Sequence, residues 1–209
     1  MKEFESLIEI IDQLLGPGGC PWDQEQTLKS TRGALIEETY EVIEAIDLNE
    51  TDNLKEELGD LFFNVIFLSK LAEKEGHFNL PQVLSTISEK LIRRHPHVFG
   101  KAEVQNTDEV IHQWEAIKKE EKHSRQSLLD GIPKDIPSLF RAEKMLKKFK
   151  KAAYDWQQVS DNASQENQAG EELLELIQKQ IHQGIEPELA LRKLLALLEH
   201  NYRKWEIKS

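Results

Sequence analysis

The stretch Asn53-Leu54-Lys55-Glu56-Glu57-Leu58-Gly59-Asp60-Leu61-Phe62-Phe63-Asn64-Val65-Ile66-Phe67-Leu68 sets Leu54, Leu58, Leu61, Val65 and Leu68 three or four residues apart. A helix repeats every 3.6 residues, so that spacing lines one face of a helix. The pattern predicts a helix that starts near Asp52 or Asn53, where a side-chain oxygen can cap it and Glu56 can complete a capping box. It runs to Gly76. Gly59 inside it costs about 1 kcal/mol relative to Ala, a cost that close approach of a neighbouring helix would justify.

The same periodicity extends in both directions. Upstream, a second periodic stretch covers about Thr27 to Leu48, and Phe4, Leu7, Ile8, Ile11 and Leu14 mark a helix face between Lys2 and Leu15. Between these two, Gly16-Pro17-Gly18-Gly19-Cys20-Pro21 breaks the pattern and is read as a loop. Downstream, Asn79-Leu80-Pro81 reads as a helix start, and His95-Pro96-His97 as its stop, because the residue before a proline avoids the helical region. Thr107 to about Lys122 is a further helix. Gly131-Ile132-Pro133 and Ile136-Pro137 mark a boundary, followed by a basic helix over Ser138 to Lys151. The polar segment Ser160 to Gly170 is expected to be a mobile loop before two closing helices, Glu171 to about Gln183 and Pro187 to about Trp205. No segment alternates as a strand does, so the expected fold class is all-α.

With 27 basic and 38 acidic residues the formal charge is −11. An extended nucleic-acid surface needs clustered positive charge, so no nucleic-acid partner is expected. Cys20 is the sole cysteine, which excludes an intrachain disulfide and a Cys-based zinc site. No apolar run approaches the roughly 20 residues that cross a bilayer. No membrane association is expected, and a cytoplasmic protein is the default.

Two acidic groups stand out. Glu37-Glu38-Thr39-Tyr40-Glu41 lies on the second periodic stretch and Glu56-Glu57-Leu58-Gly59-Asp60 on the third. Glu38 and Glu41 are three apart, as are Glu57 and Asp60, so each pair shares a helix face. A short connection around Leu48 to Asp52 makes the two helices an antiparallel hairpin, across which four carboxylates can converge. Hard cations such as Mg²⁺ and Mn²⁺ take oxygen ligands. Without one, converging carboxylates repel and raise one another's pKa values. The plain alternative is a solvated acidic face, the usual fate of either pair taken singly. Interleaved Leu35, Val42, Ile43, Ile46, Leu61 and Phe62 speak against it here.

These motifs resemble those of a known family. Glu-Glu-x-x-Glu followed on the next helix by Glu-x-x-Asp is the signature of the all-α nucleotide pyrophosphohydrolases. The flanking runs Gly19-Cys20-Pro21-Trp22-Asp23-Gln24-Glu25-Gln26-Thr27 and Lys90-Leu91-Ile92-Arg93-Arg94-His95-Pro96-His97-Val98-Phe99 narrow it to the MazG family, over about Phe4 to Lys122. The resemblance implies Mg²⁺-dependent hydrolysis of nucleoside triphosphates between the α- and β-phosphates, by metal-activated water, giving a monophosphate and pyrophosphate. It implies Glu38, Glu41, Glu57 and Asp60 as metal ligands, with Mn²⁺ as a substitute ion. Glu37 is the expected residue to orient or deprotonate the water, with Glu56 as competitor. Lys90 and Arg94, four apart, are expected on phosphate. Trp114 and Lys118, also four apart, are expected to hold the nucleotide, with core packing the alternative for Trp114. Arg93 falls elsewhere on the helical wheel and reads equally as a surface charge. His95 and His97 read as packing or hydrogen-bonding groups at a helix stop, and His77 as a helix-end cap. Cys20 and Trp22 read equally as site-lining and as packing residues.

MazG proteins usually carry two tandem copies of the domain. Here Glu171-Glu172-Leu173-Leu174-Glu175 resembles the first half of the acidic signature, but no Glu-x-x-Asp follows it and no aspartate occurs after Asp161. The expected organisation is a helical-hairpin or four-helix-bundle catalytic domain over 1–125, a linker over 126–137, and a shortened, degenerate second region over 138–209 that is not catalytic. The stripe Leu191, Leu194, Leu195, Leu198 and Tyr202 must pack on something. Family resemblance implies a homodimer. Two alternatives remain beside this reading: a narrower house-cleaning enzyme preferring dUTP or dCTP, and a non-catalytic helical regulatory module.

Overall fold

In the computed structural model, which describes residues 1–121, 123, 126–156 and 164–206, every regular element is helical. Seven helices lie in a first compact unit, Met1–Glu121, and three in a second, Lys122–Ser209. The first unit contains α1 (Lys2–Leu15), α2 (Pro21–Gln24), α3 (Arg32–Leu48), α4 (Thr51–Lys74), α5 (Leu80–Arg94), α6 (Pro96–Phe99) and α7 (Thr107–Glu120). The second contains α8 (Ser138–Lys151), α9 (Gln165–His182) and α10 (Pro187–Glu206).

The core of the first unit forms where the apolar face of α1 meets α4. Ile11, Ile66, Phe67, Leu71 and Leu80 are buried together, with Phe4, Leu7, Ile8, Leu15, Leu28 and Phe63 packed around them. Lys70 of α4 reinforces the pair through an ion pair to Asp12 at 2.7 Å. The turn after α1 folds back tightly: the Cys20 amide donates to the Leu14 carbonyl at 2.9 Å and Gln24 Nε2 to the Gly16 carbonyl at 2.6 Å. A Cβ on Gly19 would stand only 2.2 Å from the Gln13 carbonyl oxygen, so glycine is required there. The loop ends sooner than expected, because Pro21, with its φ already helical, starts the short α2.

The α3–α4 hairpin positions everything that follows. Asn49 adopts the left-handed conformation at φ 57°, a conformation Asn tolerates well. The Glu50 amide then donates back to the Ala45 carbonyl at 3.0 Å, which reverses the chain within two residues. Two sequence expectations are corrected here. Helix α4 starts at Thr51 behind Glu50, with no side-chain cap, so no capping box from Asp52 or Asn53 to Glu56 forms. The hairpin turn fixes the start before those side chains are needed. Gly59 faces open space, since a Cβ there would meet nothing within 4 Å, so no neighbouring helix among the described residues requires it.

Helix α4 ends at Lys74, and Gly76, at φ 74°, turns the chain just beyond it, where the His77 amide donates to the Ala72 carbonyl. His77 thus caps through its backbone, while its ring pairs with Glu75 at 3.2 Å. The helix start read at Asn79-Leu80-Pro81 is found, and Asn79 and Gln82 close it with a reciprocal capping box. His95 stops α5, its Nδ1 2.7 Å from the Leu91 carbonyl, and Pro96 restarts the chain as the short α6. His97 Nδ1 lies 3.2 Å from Gln113 Oε1 on α7. Both imidazoles therefore serve the helix stop.

In the second unit α8, α9 and α10 pack on one another around Leu146 and Ile177. Trp156 donates its indole N–H to Gln178 Oε1 at 3.0 Å. Of the expected polar loop over 160–170, residues 160–163 lie outside the described residues. From Gln165 onward the loop expectation is corrected: Ser164 Oγ accepts from the Asn167 amide and starts α9 there, because a good N-cap outweighs the low helix propensity of Asn167 and Gly170. Leu191, Leu194, Leu195, Leu198 and Tyr202 are exposed on α10. Among the described residues no helix is long and apolar enough to cross a membrane.

Candidate active site

Three carboxylates meet across the α3–α4 hairpin. One oxygen each from Glu38, Glu41 and Glu57 lies within 4.8 Å of the others, and all three side chains are half-buried. The i,i+3 spacing puts Glu38 and Glu41 on one face of α3, and the antiparallel turn at Asn49 brings Glu57 of α4 opposite them. Asp60, a turn further along α4, is exposed and lies outside this group of three, yet its charge acts on both Glu38 and Glu57. Glu37 and Glu56 are exposed beside the group. Among the described residues no other three His, Cys, Asp or Glu side chains converge in this way.

Electrostatics shows what the arrangement lacks. Partial burial raises the Glu38 carboxyl above its ordinary value, and the charges of Asp60, Glu41 and Glu57, with a hydrogen bond to Glu41, raise it further. Glu57 is raised by partial burial, then by the charges of Glu41, Asp60 and Glu56 and a hydrogen bond to Glu41. All of these influences on the two groups act in the same direction, and among the described residues no cation offsets them. A set of hard oxygen donors carrying uncompensated negative charge fits a divalent cation of the Mg²⁺ type.

The same imbalance has a stability consequence. A carboxyl whose folded pKa is raised holds its proton more tightly in the folded chain than in the unfolded one. Its contribution is therefore complete below the ordinary carboxyl value of 4.5 and is lost as pH rises through the raised value. At neutral pH without metal the cluster is under repulsion. Glu38→Gln is expected to raise the melting temperature in EDTA at pH 7, by roughly 2 °C or more. A thermal melt followed by circular dichroism checks this, and an unchanged or lower midpoint would contradict the repulsion.

A second cluster stands on α5 and α7. The Arg94 guanidinium carbon lies 5.5 Å from the Trp114 ring centroid and Lys118 Nζ lies 4.3 Å from it, so the indole contacts two cations. Lys90, one turn before Arg94 on α5, is half-buried. Trp114 is half-buried too, so it is not simply a core residue. Trp22 is 69% exposed, which removes it as a packing anchor within the described chain, while Cys20 is half-buried.

The sequence reading overlooked Glu121, which receives hydrogen bonds from both Arg93 and Arg94. Its spacing carried a signal, for Trp114, Lys118 and Glu121 follow one another at four and three residues. Arg93 is half-exposed but engaged through this carboxylate, and is more than a surface charge.

Comparison with known proteins gives the family. The family model for the MazG nucleotide pyrophosphohydrolase domain matches residues 26–99, a span that holds all four acidic ligand candidates together with Lys90 and Arg94. The nucleoside triphosphate pyrophosphohydrolase of Escherichia coli (strain K12) is 36% identical over 231 residues, covering 99% of this chain and 88% of that protein. The nucleoside triphosphate pyrophosphohydrolase/pyrophosphatase MazG of Thermotoga maritima is 35% identical over 228 residues, again covering 99% and 88%. The crystal structure of a mazG-related protein from Thermotoga maritima aligns with 55% of this chain and 98% of its own, at 30% identity and a TM-score of 0.49. With the acidic hairpin in place and relatives of this identity along nearly its whole length, the chain belongs to the MazG family of nucleotide pyrophosphohydrolases.

Proposed function

We propose that this protein hydrolyses nucleoside triphosphates between the α- and β-phosphates, releasing a nucleoside monophosphate and pyrophosphate. The convergence of Glu38, Glu41 and Glu57 within 4.8 Å across one helical hairpin carries the reading. Glu38, Glu41 and Glu57, with Asp60 as fourth, hold Mg²⁺, for which Mn²⁺ can substitute. Such an ion supplies a Lewis acid for the phosphoryl oxygens and lowers the pKa of bound water. Glu37, exposed one residue before Glu38, orients or deprotonates the attacking water. Lys90 and Arg94 counter the charge of the phosphates, Trp114 packs on the nucleotide and Lys118 meets phosphate. Holding the reacting groups in place and stabilising charge is the main work of such a site.

The second unit is not catalytic in this reading. What supports this is the sequence: no Glu-x-x-Asp follows Glu175 and no aspartate occurs after Asp161, so the second half of the acidic signature is missing. The protein works as a homodimer. Ile36, Tyr40, Leu58, Phe62 and Val65 on α3 and α4 are large apolar residues left exposed in the single chain, which supports a second copy against this hairpin.

The test is product analysis by ion exchange after incubation with each NTP and dNTP, with Mg²⁺ or EDTA. Monophosphate and pyrophosphate formed only with metal are expected, and the panel ranks the bases. Release of orthophosphate and a diphosphate instead would refute the bond assignment. No turnover by the folded, metal-supplied protein would replace the enzyme with a regulatory module.

A further inference from the structure

Arg94 does not stand alone on α5. Its Nε and Nη2 lie 3.0 and 2.5 Å from Glu121 Oε2, while Arg93 reaches the other oxygen, Oε1, through Nε and Nη2, each at 2.7 Å. The Arg94 and Glu121 side chains are about five-sixths shielded, at 15% and 16% exposure, whereas Arg93 is 54% exposed. Glu121 follows the end of α7, so this contact fastens α7 to the C-terminal turn of α5.

The pattern of donors matters more than the pairing. A guanidinium has five N–H groups in a rigid plane. Glu121 takes the Nε–Nη2 edge of Arg94, and among the described residues Nη1 makes no hydrogen bond. One carboxylate shared by two guanidinium groups also leaves the trio with one net positive charge, where a simple pair would be neutral. Arg94 is thus held along one edge, keeps its charge uncancelled and still offers N–H groups at its other end. On its flank sits the Trp114 ring.

We propose that Glu121 is a positioning residue for substrate binding: it grips one edge of Arg94, sets the angle at which Nη1 is offered to the triphosphate, and keeps the guanidinium against Trp114. The inference rests on the reading of Arg94 as a phosphate contact. A flexible arginine loses rotamer freedom each time it binds an anion, and an arginine already fixed in place does not. The carboxyl also stays charged throughout the working range. The hydrogen bonds from Arg94 outweigh the opposing effect of burial and, with those from Arg93, bring it down to about 2.

The experiment uses the full chain with Mg²⁺ and its best nucleoside triphosphate, together with calorimetric binding of an α,β-non-hydrolysable analogue. Glu121→Ala is expected to raise KM and the analogue Kd about tenfold, with kcat changed by less than about threefold. In an Arg94→Ala background the same replacement should add less than about twofold, because Glu121 acts only through Arg94. Glu121→Gln keeps the size of the side chain and one acceptor oxygen, and should fall between wild type and Glu121→Ala; it carries the test if the alanine variant fails to fold. Equal effects of the Glu121 replacement in both backgrounds would mark a merely structural residue and overturn the proposal. A lowered KM would also overturn it, showing a carboxylate that competes with phosphate for Arg94. In either case a raised KM in Arg94→Ala alone leaves the reading of Arg94 standing. If Arg94→Ala leaves KM and Kd unchanged, that reading fails and this one with it.

Discussion

Glu57→Gln is expected to lower kcat/KM for nucleoside triphosphates by about 10²–10³-fold or more, with the helical fold intact. Removing one well-aimed electrostatic group from an active site costs about that much even when the group is neutral. Here the group is one of three carboxylates within 4.8 Å, and it is the contribution of α4 to that group. The amide keeps the shape and one oxygen but loses the charge, so packing is preserved while the attraction for a divalent ion falls. Steady-state kinetics beside a circular-dichroism melt separate the two. Full activity in Glu57→Gln would refute the site. Glu37→Gln, outside the group of three, should affect kcat while leaving metal binding in place, which separates a ligand from a water-positioning residue.

Removal of metal is the second large effect. Dialysis against EDTA should abolish turnover, and Mg²⁺ should restore it. The same ion should also raise the melting temperature, because it binds the folded hairpin and relieves the repulsion at Glu38 and Glu57. Mass action gives about 2.7 kcal/mol when the ion is at 100 times its Kd, or roughly 5–10 °C for a chain of this size. Glu38→Gln should show little of that increase. A wild-type melting curve indifferent to Mg²⁺ would mean that the carboxylates do not bind it.

Much of the fold could be read from residue spacing, and the exceptions have physical reasons. The apolar face of α1 was legible because burial follows the helical period, and Ile11 became core. On α4 the period gave the helix but not its buried face: Leu58 and Val65 of the expected face are exposed, and Ile66, Phe67 and Leu71 form the core instead, because the second half of α4 is apolar on more than one side. The start of α5 at Asn79 was legible because an N-cap residue followed by proline in the first turn is a local signal. The start of α4 was misread because a left-handed Asn49 and a returning Glu50 amide fixed it, a conformation written in no propensity pattern. The start of α9 was missed because the polar run after Ser164 resembles a loop by composition, while its capping serine counts for more. At the site, Glu38, Glu41 and Glu57 were legible as members of two i,i+3 pairs around a short turn, whose fourth member, Asp60, lies outside the convergent group. The link from Glu121 to Arg93 and Arg94 was not, since helical spacing sets Glu121 in line with Trp114 and Lys118 but says nothing of partners 27 or 28 residues away. Gly59 looked like a close-packing glycine, and only its surroundings, open within the chain, show that it is not one here.

The two-residue reversal at Asn49 and Glu50 also governs when the carboxylates first meet. Glu41 and Glu57 are only sixteen residues apart along the chain. Closing so short a segment costs little entropy, and neighbouring helices joined this closely come together early in folding. Repulsion among the glutamates therefore opposes that short-range closure itself. A divalent cation present at that moment does more than prepare a finished enzyme for its substrate: it removes an obstacle to the hairpin's own formation.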